Sequence, residues 1–146
     1  MEAEMAKYIH YGCKSFEKGL FTSVVNAMLS TKPMGGLWAS RIDAAYGWKE
    51  WCNSSDFRDC TEENSFTFSL SNNARVLYIN SVNDLEDLPE LHNEFGICSW
   101  KLLDFEELAK TYDAIEVNIS SDPELYFALY GWDCDSILIM NPNIIE

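Results

Sequence analysis

The stretch from Asp104 to Pro142 constrains the fold most, because four consecutive segments carry their own start or stop signals. Asp104 stands as an N-cap with Glu107 three residues on, a capping-box pattern. Phe105, Leu108 and Tyr112 share one face of the helix that this predicts, Asp104 to Tyr112. Ala114 to Ile119 is β-rich. Asp122-Pro123 opens a second helix with proline at the first helical position, and Gly131 closes it. Ser136 to Met140 is an apolar strand that Asn141-Pro142 ends.

The upstream chain repeats the theme with weaker punctuation. Lys7 to Gly12 reads as a strand. Ser15 to Leu29 places Phe16, Leu20, Val24 and Met28 at four-residue spacing, which predicts a helix, against Gly19 and the Val24-Val25 pair. Lys32 to Gly36 is a loop and Leu37 to Ser40 a strand. Asp43 caps a helix with Ala44, Trp48, Trp51 and Cys52 on one face. Phe66, Phe68 and Leu70 alternate, Ser71-Asn72-Asn73 is a turn, and Arg75 to Asn80 is expected to return as the second strand of a hairpin. Asn83 to Leu91 forms a short acidic helix on this reading. Strands interspersed with short helices, with one antiparallel hairpin, predict an α+β fold with a mixed or antiparallel sheet.

Composition narrows the function classes. With 146 residues, 47% hydrophobic, the chain fits a single domain, 1–146, with a real core. The 24 acidic against 10 basic side chains leave a net charge of −14. A phosphate backbone would be repelled, so direct nucleic-acid binding is not expected. The acidic segment Asn83 to Glu94 reads as a solvated surface or as a face for a basic partner. Met1-Glu2-Ala3-Glu4 lacks the basic and apolar regions of a signal peptide, and no apolar run approaches the ~18 residues that span a membrane. The five cysteines, odd in number and without a C-x-x-C pair, are expected to be thiols of a cytoplasmic protein. Two distant histidines and no zinc-type spacing leave no metal site expected.

The segments richest in chemistry are Tyr8-Ile9-His10-Tyr11-Gly12 and Gly35-Gly36-Leu37-Trp38-Ala39-Ser40, the latter followed by Tyr46. A strand histidine with a glycine two residues on, then a Gly-Leu-Trp-Ala strand and a downstream tyrosine, resembles the NAD-binding half of ADP-ribosyltransferase folds of the histidine–tyrosine–glutamate type, in a small bacterial or phage member. The resemblance implies a split, mixed or antiparallel β-sheet with short flanking helices, and NAD as a substrate. It implies that His10 orients the ribose, that backbone at Gly12 meets the carboxamide, that Ser40 lies beside the ribose, and that Tyr46 stacks on nicotinamide with Trp48 as substitute. Trp38 belongs to the same cofactor-binding set. The catalytic carboxylate has two candidates. Glu116 lies in the strand Ala114 to Ile119, similar to the glutamate-bearing strand of diphtheria-type toxins. Asp135 precedes Ser136 to Met140, which is similar to the last strand of many bacterial relatives. Each residue also has a plainer reading: His10 satisfied by a backbone carbonyl, the aromatics as core, Glu116 on a solvated face.

NAD cleavage explains why these residue types belong together. Nicotinamide departs as a neutral ring and positive charge develops on the ribose. The site must therefore hold the amide, stack the ring, orient the ribose and present a carboxylate. The expected function is transfer of ADP-ribose to a side chain of a basic protein. The alternative is an acidic binding module, of a phage counter-defence kind, that blocks a basic nucleic-acid-binding protein, including on a catalytically inactive transferase fold. An RNA 2′-phosphotransferase is disfavoured, since that chemistry needs several arginines and the chain has Arg41, Arg58 and Arg75 alone.

Overall fold

The computed structural model describes residues 7–11, 14–27, 31–44, 47–48, 62–91, 102–129, 132 and 134–146. Six strands make one sheet: β1 (Lys7–Tyr11), β2 (Leu37–Arg41), β3 (Ser65–Ser69), β4 (Val76–Ile79), β5 (Ala114–Val117) and β6 (Ser136–Ile139), in the order β3-β1-β2-β6-β5-β4. β4 runs parallel to β5 and the other pairings are antiparallel, so the fold is α+β with a mixed sheet. The described α-helices are short, α1 (Phe105–Thr111) and α2 (Pro123–Ala128).

Local signals account for both helices. The Asp104 carboxylate accepts from the Glu107 N–H at 3.1 Å, satisfying one of the orphan donors of the first turn. The Glu107 carboxylate turns to Lys110 at 3.0 Å. Asp122 caps α2, accepting from the Glu124 N–H, with Pro123 in the first turn. Gly131, the expected stop, lies outside the described residues.

Alternation divides the sheet into two faces. Leu77, Ile79, Ile115, Val117 and Leu138 face α1 and α2, joining Phe105, Leu108, Leu125 and Trp132 in the larger core. Ala39, Ala114, Ile137 and Ile139 point the other way and pack with Tyr8, Phe68 and Ile144. The central strands β5 and β6 are buried along their whole length, which is why β6 is apolar after Ser136 and β5 is apolar but for Glu116.

Asn83 to Leu91 is reduced to a 3-10 turn over Val82–Leu85, and two further expectations are overturned. Ser15 to Leu29 is not a helix across its described part. A 3-10 turn spans Lys18–Leu20, and Val25 forms a bridge with Met34, with N–H to O distances of 2.9 Å in both directions. Gly36 donates to the Thr22 carbonyl at 2.8 Å, and Gly35 takes a φ of 81° against the Ser23 carbonyl. The segment satisfies its backbone against the Met34-Gly35-Gly36 loop instead, an outcome that Gly19 and two adjacent valines favour.

The segment Phe66 to Asn80 is not a hairpin. β3 and β4 occupy opposite edges of the sheet, β3 against β1 and β4 against β5. Seven Cα steps join Ser69 to Val76, and the turn in which the Ala74 N–H donates to the Ser71 carbonyl shortens their reach to about 20 Å. Five flat inter-strand spacings would need about 24 Å. The sheet must therefore curl, bringing its edges toward each other. The C-terminus fills the gap: Ser69 exchanges hydrogen bonds with Glu146 and Ser71 donates to Ile144.

Candidate functional site

Glu116 is the residue around which the site is built. It is 2% exposed in the buried strand β5, on the face that also carries Ala114 and Ile137. A carboxylate in such a strand must be paired. Arg41, the last residue of β2, donates from Nε to Oε2 at 2.7 Å and from Nη2 to Oε1 at 2.9 Å, a bidentate fork. The Tyr8 hydroxyl donates to Oε1 at 3.3 Å. Tyr8 reaches from β1 across β2 and β6, so this face of the sheet is concave. Arg41 also lies over the Tyr8 ring, 5.8 Å from its centroid. Burial, then the Glu116 charge, push the Tyr8 hydroxyl well above the usual tyrosine range, so it remains a donor. The bond to Glu116 raises the Arg41 guanidinium further still.

Glu116 and Arg41, backed by the buried Tyr8, line a cleft of about 600 Å³, a size typical of ligand sites. Tyr78, opposite Glu116 in the β4–β5 register and 49% exposed, offers its ring at the edge. Asn80 and Asn118 add amides that are bonded to each other. Asp135 lines the same cleft. Its carboxylate accepts from the Ser120 N–H at 2.8 Å and the Ser120 hydroxyl at 2.6 Å. Both candidate carboxylates thus meet in one cavity, although Glu116 comes from β5 and Asp135 from the entry to β6. Glu116 is not on a solvated face.

The remaining expected residues fall elsewhere. His10 lines a second cavity of about 190 Å³ with Phe16, Phe21, Leu37 and Phe66. Its Nδ1 donates to the Trp38 carbonyl at 2.6 Å and its ring lies 5.2 Å from that of Phe66. Ser40 is buried, donates to the Asp135 carbonyl at 2.8 Å and accepts from the Trp48 N–H at 2.9 Å. That pair of bonds clips β2 to the entry of β6. Trp38 and Trp48 meet edge to face at 6.5 Å, and Trp38 meets the buried Trp132 at 4.7 Å. Lys32 lies over both the Trp38 and Trp48 rings. This aromatic group belongs to the helix-covered face, opposite Glu116. Gly12 and Tyr46 lie outside the described residues.

Sequence reading missed Tyr8, Arg41 and Tyr78. A signal existed for two of them. Tyr8 is two residues before His10 and so shares its face. Arg41 is one of three arginines and directly follows the strand residue Ser40, and a glutamate among apolar strand residues calls for such a cation. Tyr78 carried no signal, since its place depends on the pairing of β4 with β5. Among the described residues no group of histidine, cysteine, aspartate and glutamate could hold a metal ion, and no helix is long and apolar enough to cross a membrane. Cys134 is a buried thiol outside any disulfide; the other four cysteines lie outside the described residues. No family model, curated protein or solved structure matched the chain in comparison.

Proposed function

We propose that this chain is an NAD-dependent ADP-ribosyltransferase-like protein, with Glu116 as the carboxylate that serves the ribose and a basic protein as acceptor. The observation that carries the reading is a buried glutamate on a central strand, facing a polar cleft of about 600 Å³. The glycosidic bond to nicotinamide breaks with its electron pair leaving on the ring nitrogen. Glu116 accepts a hydrogen bond from a ribose hydroxyl and offsets the charge that develops at the anomeric carbon. The acceptor nucleophile then bonds to that carbon and releases its proton to water. The Asn80 and Asn118 amides suit hydroxyl and amide recognition, and the Tyr78 ring suits stacking.

Of the two carboxylates, Glu116 is the better candidate. Asp135 is held by a backbone N–H that cannot withdraw, whereas the partner of Glu116 is a flexible arginine side chain 38% exposed. The cross-strand register places His10, Ala39, Ile137 and Glu116 in one row, but Ala39 and Ile137 are fully buried under Tyr8, Phe68 and Ile144, so the His10 cavity and the Glu116 cleft are separate. The α+β fold, with the histidine strand β1 beside the Gly-Leu-Trp-Ala-Ser strand β2, supports the resemblance to the ADP-ribosyltransferase fold.

The test is NAD hydrolysis and ADP-ribose transfer to a panel of basic proteins. Glu116→Gln should lower the rate by about 10²–10³-fold, the cost of one transition-state charge contact. Asp135→Asn should cost far less in rate once corrected for the folded fraction. Equal effects of the two, or none from either, would overturn the assignment. A wild type that neither hydrolyses NAD nor modifies any basic protein would leave the net charge of −14 to be explained by the acidic binding module.

A further inference from the structure

The bidentate pair in the cleft raises a problem. Both oxygens of Glu116 accept from Arg41, and Oε1 accepts from Tyr8 as well. A carboxylate so occupied has little capacity left for a ribose hydroxyl. The two partners differ in freedom. The Glu116 side chain is 3% exposed and fixed in a central strand, while the Arg41 side chain is 38% exposed and lines the cleft. If the pair opens, Arg41 is the side that moves.

Arg41 is also the one cation among the described residues that line the cleft, which carries three carboxylates: Asp43, Glu116 and Asp135. Asp135 is bonded by Ser120 and Asp43 is exposed at the rim. An anion entering here can be recognised by charge only through the Arg41 fork, and that fork is occupied from within. We propose that Arg41 is the phosphate-recognition residue of the cleft, masked by Glu116, and that the diphosphate of an incoming nucleotide draws it away and so unmasks the carboxylate. The choice of a nucleotide diphosphate as the anion rests on the proposed function; the masking itself does not.

The exchange is chemically balanced. A guanidinium fork matches a phosphate as well as a carboxylate, so Arg41 trades one bidentate partner for another. Glu116 is not stranded on release. The Tyr8 hydroxyl, held protonated by its burial, still donates to Oε1 and keeps the carboxylate in place, while Oε2 is freed for the ribose. Arg41 is thus a positioning residue for the carboxylate and a binding residue for the substrate. Without a diphosphate in the cleft, the carboxylate stays covered.

Masking predicts an unusual response. Removing the Glu116 charge should improve the binding of an anion, because a site open for only a fraction of the time binds with its affinity reduced by that fraction. The experiment is calorimetric titration of the intact chain and its variants with ADP-ribose, with adenosine as the phosphate-free control. Glu116→Gln should bind ADP-ribose about tenfold more tightly than wild type, or better, with adenosine unchanged. Asp43→Asn removes a charge from the same cleft without releasing Arg41, and should change affinity less than threefold. Adding Arg41→Gln to Glu116→Gln should abolish the gain. Affinity in Glu116→Gln that is equal to or below wild type overturns the proposal. So does an Asp43→Asn gain as large, or a gain that survives loss of Arg41. Should Glu116→Gln not fold, the wild-type Arg41 Nε–H resonance decides. It must shift with millimolar ADP-ribose and not with adenosine, and an unmoved resonance overturns the proposal. None of these readings uses turnover. A chain that fails to cleave NAD but shows the gain refutes the enzyme and keeps the masked arginine.

Discussion

Asp113 offers a stability test that leaves the cleft untouched. It sits just before β5, on the opposite end of that strand from Glu116, and is 6% exposed. Its carboxylate accepts from the Arg75 N–H at 2.8 Å, the Asn141 amide at 3.0 Å and the Arg75 guanidinium at 3.4 Å. It therefore ties together the start of β4, the start of β5 and the end of β6. Burial raises the carboxyl, but the Arg75 N–H, the Asn141 amide and the Arg75 guanidinium outweigh it, and the group lies below its ordinary 3.8. In Asp113→Asn one oxygen still accepts, while the new amide nitrogen faces donors. At least one hydrogen bond to a charged group is lost, worth about 1.5–3 kcal/mol, so a loss of about 2–3 kcal/mol is expected at pH 7. The sign of the pH dependence follows from the lowered value. The carboxylate stabilises the fold above the unfolded pKa, and this is lost as pH falls through the folded one. With an unfolded aspartate near 3.9, the gap between wild type and variant should narrow by up to roughly 1 kcal/mol at pH 3. Urea unfolding followed by tryptophan fluorescence at both pH values measures it. A gap below 1 kcal/mol at pH 7, or one that widens on acidification, would refute the reasoning.

Three further outcomes are expected. Gly35→Ala should destabilise by about 2–4 kcal/mol in the same assay, because φ is 81° and a Cβ would stand 2.2 Å from the Ser23 carbonyl oxygen; an Ala variant within 0.5 kcal/mol of wild type (about the scatter of neutral surface changes) contradicts that geometry. His10→Ala should leave NAD affinity within about threefold of wild type in calorimetry with the native circular dichroism retained, because His10 lines a cavity separate from the Glu116 cleft, and a loss of about tenfold or more would contradict that separation. All five cysteines should be thiols by mass spectrometry of non-reduced protein from intact cells, with Cys134 modified by a thiol reagent only on unfolding, since it is 2% exposed.

The parts of this protein that its sequence alone determined are those whose signals act within a few residues. Asp104 caps α1 and Asp122 caps α2 because each side chain meets an N–H only two or three residues away. β6 announces itself because a strand buried on both faces needs an apolar run, and β5 reads the same way but for Glu116. The remaining features are long-range. The alternation of Phe66, Phe68 and Leu70 and the turn after it fit a hairpin equally well, yet β3 pairs with β1 and β4 with β5, since strand partners are selected by packing over the whole sheet. The helical spacing of Phe16, Leu20 and Val24 gives way to a bridge between Val25 and Met34 that no local pattern announces. The site divides in the same way. Glu116 and Asp135 were both legible as candidate carboxylates, but their meeting in one cleft was not, nor was the Arg41 and Tyr8 pairing that covers Glu116. The partners stand 75 and 108 residues from Glu116 along the chain, and only the curl of the sheet brings strands β1 and β2 within hydrogen-bonding reach of β5.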